Sequence, residues 1–213
     1  MGTLTIATFM TLDGVMQAPG GPDEDRDGGF AHGGWSFPYF SEDMGEVISE
    51  AFGKAEAFLL GRRTYEIFAA SWPNYPDKDD PVASRLNTLP KYVVTTTLEQ
   101  ADWQPTTIIR GDVAAAVAKL KDEYSGEIQV HGSAGLAQTL HAQGLIDEYR
   151  VFIEPVVLGT GKRLFQPGAT PSALRLVESR SMGKGTLLAV YQPGGNLSYG
   201  EFQMKEGFGL PAT

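Results

Sequence analysis

Apolar positions along the chain alternate between two periods. Runs rich in β-branched residues, with strand-like patterning, lie at residues 4–9, 57–60, 92–96, 106–110, 127–131, 149–153, 174–178 and 186–192. Between several of them the period changes to that of a helix. Met44, Val47, Ile48, Ala51, Phe52 and Ala55 form one apolar stripe, and Val113, Ala116, Val117, Leu120 and Tyr124 form another with Asp112 placed as its N-cap. A shorter helix is expected from Ala134 to about Gln143, stopped by Gly144. Strands separated by helices of this length imply crossover connections and a mostly parallel sheet. The last two runs, joined by Met182-Gly183-Lys184-Gly185, read as an antiparallel hairpin.

Two stretches break the pattern. Residues 14–40 hold seven glycines and three prolines, too long for an ordinary connection and of the kind that forms functional lids. Residues 71–90 carry Pro73, Pro76, Pro81 and Pro90 and read as a surface excursion. No repeat or linker divides the 213 residues, so a single domain is expected, with a core over about 3–192 and an extension over 193–213.

Composition narrows the chemistry. With 42% hydrophobic and 20% charged residues the chain has enough apolar material for a sizeable core. Its formal charge of −9 argues against nucleic-acid and membrane-surface partners. The absence of cysteine removes disulfides, thiol nucleophiles and cysteine-ligated metals. The start of the chain shows no secretory signal and no run is long enough to span a bilayer, so a cytoplasmic protein is expected.

Three motifs fail on inspection. Asp23-Glu24-Asp25-Arg26-Asp27-Gly28 copies half of a calcium loop, but its twelfth position is Gly34 and no helix flanks it, which leaves a solvated acidic loop tip. His131-Gly132-Ser133-Ala134-Gly135 sits where a hydrolase elbow would, yet the later His141 lies in the same short helix and cannot complete a triad. Gly159-Thr160-Gly161-Lys162 lacks the first glycine and the hydroxyl residue of a phosphate loop. The three histidines have no metal-ligand spacing, and no metal site is expected.

Other residues converge. Gly61-Arg62-Arg63-Thr64 ends one strand and opens a helix, where free N–H groups, guanidinium and hydroxyl favour an anion. Thr95 and Thr96 close a second strand with hydroxyls, and Gly132-Ser133 closes a third. Ligands of open α/β sheets bind outside such carboxyl ends, so these groups point to a long phosphorylated ligand across the sheet edge.

These residues also carry a resemblance. Thr11-Leu12-Asp13-Gly14, Gly61-Arg62-Arg63-Thr64, Gly144-Leu145-Ile146-Asp147-Glu148 and the run from Pro155 to Phe165 resemble the dihydrofolate reductase superfamily, and most closely the reductase domain of riboflavin biosynthesis with its stand-alone bacterial relatives. The resemblance covers about residues 3–192 and implies an α/β fold with one mostly parallel eight-stranded sheet flanked by helices. It implies NADPH as cofactor and hydride transfer to a small heterocyclic or ribosylamino-linked substrate. Arg62 would contact the 2′-phosphate, with Arg63 beside it. Gly61 and Thr64 would hold pyrophosphate, Thr95 and Thr96 would border the adenosine, and Gly132, Ser133, Ala134 and Gly135 would approach the pyrophosphate and nicotinamide. Asp43, at the start of the first helix, matches the family's substrate-orienting carboxylate, and Asp13 is the other acid candidate. Relatives commonly form homodimers through the late strands. The resemblance has gaps: Leu89-Pro90 is followed by Lys91 rather than the arginine that grips folate, Gly132-Ser133 replaces a glycine pair, and no deaminase domain accompanies the reductase. A non-catalytic nucleotide-binding protein, or a true riboflavin-pathway or folate reductase, are the alternatives.

Overall fold

A computed structural model describes residues 1–201. Its strands are β1 (Thr3–Thr11), β2 (Ala55–Gly61), β3 (Lys91–Val94), β4 (Thr106–Ile109), β5 (Glu127–His131), β6 (Glu148–Glu154), β7 (Leu174–Ser181) and β8 (Leu187–Pro193). They form one sheet in the order β4-β3-β2-β5-β1-β6-β8-β7. The first six run parallel, and β8 turns the sheet antiparallel between β6 and β7. The eight expected runs and the terminal hairpin are therefore present. Most of the expected extension, beyond residue 201, lies outside the described residues.

Side-chain alternation on the strands separates two faces. Leu4, Ile6, Ile128 and Val130 pack against α4 (Val113–Glu123) and α5 (Ala134–Ala142) in the larger core. The other face is covered by α1 (Glu42–Gly53) and α3 (Pro81–Thr88), whose Met44, Val47, Phe52 and Leu86 meet Phe58, Leu60, Phe152 and Leu188. Helix α2 (Arg62–Ser71) follows β2 without an intervening loop.

The segment 71–90, expected as a surface excursion, holds helix α3. Asp80 caps it by accepting a hydrogen bond from the Ala83 N–H at 2.7 Å, and Pro81 occupies its first turn, where a missing N–H costs nothing. The four prolines punctuate the segment rather than dissolve it. Lys91 then turns inward instead of reaching a ligand. It is 1% exposed, donates to the Leu86 and Leu89 carbonyls and lies over the Trp103 ring, and burial lowers its pKa to about 8.

The 14–40 segment is ordered by a small core of its own. Val15, Ala18, Phe30 and Trp35 are buried together, and the Trp35 indole N–H donates to the Gln17 carbonyl at 2.7 Å. Gly161 must remain glycine beneath it: its φ is +120°, and a Cβ would meet Val15 and Phe30 at 2.7 and 2.8 Å. Replacing Gly161 with valine should cost about 2 kcal/mol or more, the scale of overpacking added to backbone strain, and a denaturant titration would read it as a lowered midpoint at unchanged slope.

Candidate functional site

The carboxyl ends of the parallel strands open into one cleft of about 970 Å³. Strand β2 ends at Gly61 and runs directly into α2, and β5 ends at His131, two residues before α5 begins. The two helix starts are locked together. The Gly61 N–H donates to Ser133 Oγ at 2.9 Å, and the Ser133 N–H donates to Thr64 Oγ1 at 3.0 Å. Gly132 and Ser133 hold φ of 53° and 56°, so two consecutive residues in the left-handed region turn the chain into α5. The N-terminal N–H groups of α2 and α5 have no side-chain cap, and Gly61 to Thr64 and Gly132 to Gly135 all line the cleft.

Among the cationic groups, Arg62 extends along α2 to Glu66 at 2.8 Å in an exposed pair, a contact of about 0.3–0.5 kcal/mol that leaves it free to turn. Arg63 points to the lid and meets Asp25 at 3.2 Å. Lys162 binds the other oxygen of the same carboxylate at 2.8 Å and reaches Asp27 at 2.9 Å. Asp25 is 7% exposed, so it is not part of a solvated tip as the sequence implied. Burial pushes its pKa upward, but the hydrogen bonds and charges of Lys162 and Arg63 pull it further down, below the ordinary carboxylate value. The lid is thus tied to α2 and to the loop after β6.

The remaining expected site residues are placed elsewhere. Thr95 and Thr96 do not line the cleft; the Thr95 hydroxyl accepts from the Thr97 and Leu98 N–H groups to build the turn after β3. Asp43 also lies off the cleft. One of its oxygens accepts from the Ser41 hydroxyl and the Met44 N–H, the other from the Gly183 N–H at 3.0 Å, which pins the β7–β8 turn to the start of α1. The Ser41 hydrogen bond, helped by Gly183, lowers its pKa. Asp13 accepts from Thr11, Leu158 and Gly159 and pairs with Arg163, gathering the loop after β6. The Thr11 hydrogen bond leads the causes that bring its pKa to about 2. Both carboxylates hold turns. Of the lid aromatics, Phe37 lines the cleft while Phe30 and Trp35 face the lid's own core.

A carboxyl group the sequence did not single out sits behind the lining of the cleft, bonded to a lining residue. Strand alternation puts Arg150, Phe152 and Glu154 on one face of β6, with Ala7, Phe9 and Thr11 opposite them on β1. Arg150 and Phe152 line the cleft, as does Ser36, whose hydroxyl donates to Glu154 Oε1 at 2.6 Å. Glu154 is fully buried and its Oε2 has no partner among the described residues. Burial raises its pKa to about 7 against the pull of Ser36.

A single sheet covered by helices on both faces, with its cleft at the carboxyl ends of the parallel strands between two uncapped helix starts, is a dihydrofolate reductase-like fold. The chain belongs to the RibD C-terminal domain family, whose model matches residues 2–188. It is 28% identical over 184 residues to the uncharacterized protein YyaP of Bacillus subtilis, covering 85% of this chain and 90% of that one. Among solved structures, a putative riboflavin biosynthesis protein from Shewanella superposes with a TM-score of 0.67 at 16% identity, over 90% of this chain and 98% of that one. Dihydrofolate reductase from Enterococcus faecalis, complexed with NADP(H), superposes with a TM-score of 0.54 at 12% identity, over 90% and 96%. No helix among the described residues is long and apolar enough to cross a membrane.

Proposed function

We propose that the protein is a cytoplasmic NADPH-dependent reductase of a small heterocyclic substrate. The observation that carries this reading is the pair of uncapped helix starts, α2 and α5, cross-linked through Gly61, Thr64 and Ser133 and opening on the same cleft. Converging N–H groups with two arginines beside them fit a pyrophosphate. Gly135 adds room, since a Cβ there would meet nothing within 4 Å.

In this reading the N–H groups after Gly61 and Ser133 hold the pyrophosphate, Arg62 leaves Glu66 for the 2′-phosphate, and the Gly132–Ser133 turn fixes the edge of the nicotinamide. The bound dinucleotide supplies a hydride. The chain supplies position and a proton. Glu154, rather than Asp43 or Asp13, is the acid: once protonated on Oε1 it donates to Ser36 Oγ, the reverse of the hydrogen bond its carboxylate accepts, so its proton passes to Ser36 Oγ as the Ser36 hydroxyl proton moves to the reduced bond. A buried acid with a raised pKa beside a cleft favours turnover over simple nucleotide binding.

Titration with NADPH and NADH, followed by a screen of pterins, folates and ribosylaminopyrimidines for NADPH oxidation, tests the reading. Arg62→Ala should weaken NADPH binding by about 1.5–3 kcal/mol, the usual worth of a charged hydrogen bond, and leave NADH nearly unchanged. Equal losses for both would remove Arg62 from the 2′-phosphate. Exposed Leu176 and Val177 on the edge strand β7 support a homodimer, which light scattering would measure.

A further inference from the structure

The cleft divides by charge. Arg62, Arg63 and Lys162 stand on the side of the helix starts and the lid, and the latter two already share Asp25. The opposite side, between α1, α3 and the end of α2, is aromatic. Phe52 stacks on His131 with centroids 4.7 Å apart and planes within 18°. The series continues from His131 to Phe68, from Phe68 to Trp72 and from Trp72 to Tyr75, at centroid distances of 6.5, 6.2 and 5.3 Å. Phe40, Ile48 and Val82 complete the wall.

Two charged residues line this side, and neither offers a positive charge to a ligand. Asp80 is negative and caps α3. Arg150, on the floor, is gripped by Glu127 at 3.1 Å and by Glu148 at 2.7 Å. The arginine side chain is 9% exposed and each glutamate 16%, so the triad carries a net charge of −1 with its guanidinium spent internally. His131 adds no cation: burial holds its pKa near 4, and its Nε2 faces Gln129 Oε1. A phosphate brought here would lose its water without gaining a cationic partner, and would face Asp80 and the surplus carboxylate. A flat ring, by contrast, finds an aromatic lining whose rings meet it by face or by edge, and a positive charge on it would be welcome.

Building on the reductase reading, we propose that the substrate is a planar heteroaromatic compound without a phosphate, uncharged or cationic, held against the Phe52–His131–Phe68–Trp72–Tyr75 wall. A phosphoribosyl-linked ring is excluded by the same surface.

Binding separates this proposal from the reductase reading, because it needs no turnover. Calorimetric titration of the full chain with two matched pairs, 5-amino-6-ribosylaminouracil and its 5′-phosphate, and riboflavin and its 5′-phosphate, isolates the phosphate. The unphosphorylated member of at least one pair should bind about 10-fold tighter or more, the scale of one buried charge left unpaired. Tyr75→Arg, at a position 37% exposed and therefore tolerant of the change, should narrow or reverse that preference. Equal or tighter binding of the phosphorylated members, or no binding by any of the four, would overturn the proposal. NADPH titrated separately reports on the reductase reading: a chain that binds the rings but not NADPH keeps the substrate class and loses the cofactor.

Discussion

Glu154→Gln is expected to lower turnover by about 10²-fold or more, the usual scale for a lost acid–base group, while NADPH binding stays close to that of the wild type. Glutamine keeps the volume and can still accept the Ser36 hydroxyl through its carbonyl oxygen, so a structural role alone would leave activity largely intact. The pH dependence makes the test sharper. As a proton donor Glu154 works in its protonated form, and with its pKa raised to about 7 the rate of the wild type should fall as pH climbs through neutrality. The variant should lose that limb. Stability should follow the same group in the opposite sense from a salt-bridged carboxylate. The folded state keeps the proton up to about pH 7 whereas the unfolded chain releases it near the ordinary value of 4.5, so folding loses free energy as pH rises between the two and is flat above. The full penalty is of order 3 kcal/mol, taking 1.36 kcal/mol per unit. Glu154→Gln should therefore melt higher than the wild type above neutral pH and draw level with it in acid. A wild-type rate without the limb, or a melting temperature of the variant below the wild type at alkaline pH, would place the acid elsewhere.

What was legible in the sequence, and what was not, follows from distance along the chain. Helix α1 was visible because its stripe repeats locally, and Gly61-Arg62-Arg63-Thr64 because a strand end, a glycine and a helix start are contiguous. Glu154 was hidden: in sequence it is the last residue of a strand, and the serine that bonds it is 118 residues away. Asp43 could be placed at a helix start, but nothing local reveals that Gly183, 140 residues on, occupies its second oxygen. The same holds for Thr95, whose hydroxyl is taken by the turn it opens rather than left for a ligand. Helix α3 is the converse case. Its Asp80-Pro81 start is a local signal, outweighed by the prolines around it when read as composition. The charge balance around Arg150 joins β5 and β6, strands that β1 separates, so a basic residue on one strand could not be recognised as already neutralised.

The second large effect is expected at Asp25, where one carboxylate holds two cations from separate elements. Lys162 comes from the loop after β6 and Arg63 from the first turn of α2, so Asp25 fastens this end of the lid to both, beside the Lys162–Asp27 pair and apart from the Ser36–Glu154 bond. Gln17 braces the same point from inside the lid. Its amide donates to the Asp25 and Asp27 carbonyls at 3.1 and 3.0 Å, and its carbonyl accepts from the Lys162 N–H at 3.0 Å. The lid's small core does not depend on this clamp, since Val15, Phe30 and Trp35 pack together and against Phe9 and Leu158. Asp25→Ala should therefore loosen the lid around Gly20 to Asp27 rather than unfold it. The two cations are partly exposed and would be re-solvated, which limits the loss to about 1–2 kcal/mol, between the values for surface and buried pairs. That energy separates closed from open lid, and it should appear as a roughly 10-fold rise in KM or fall in kcat/KM. Hydrogen exchange should quicken at the lid's attachments around Gly20 to Asp27 while the indole N–H of Trp35 stays protected. Because the Asp25 pKa lies below its ordinary value, the clamp is complete at neutral pH and is lost as acid protonates it, so the wild type should approach the variant's exchange pattern on acidification. Uniformly faster exchange through Trp35 would mean that the clamp holds the lid's fold as well as its position, and unchanged exchange with unchanged kinetics would mean that the lid needs no fastening at Asp25.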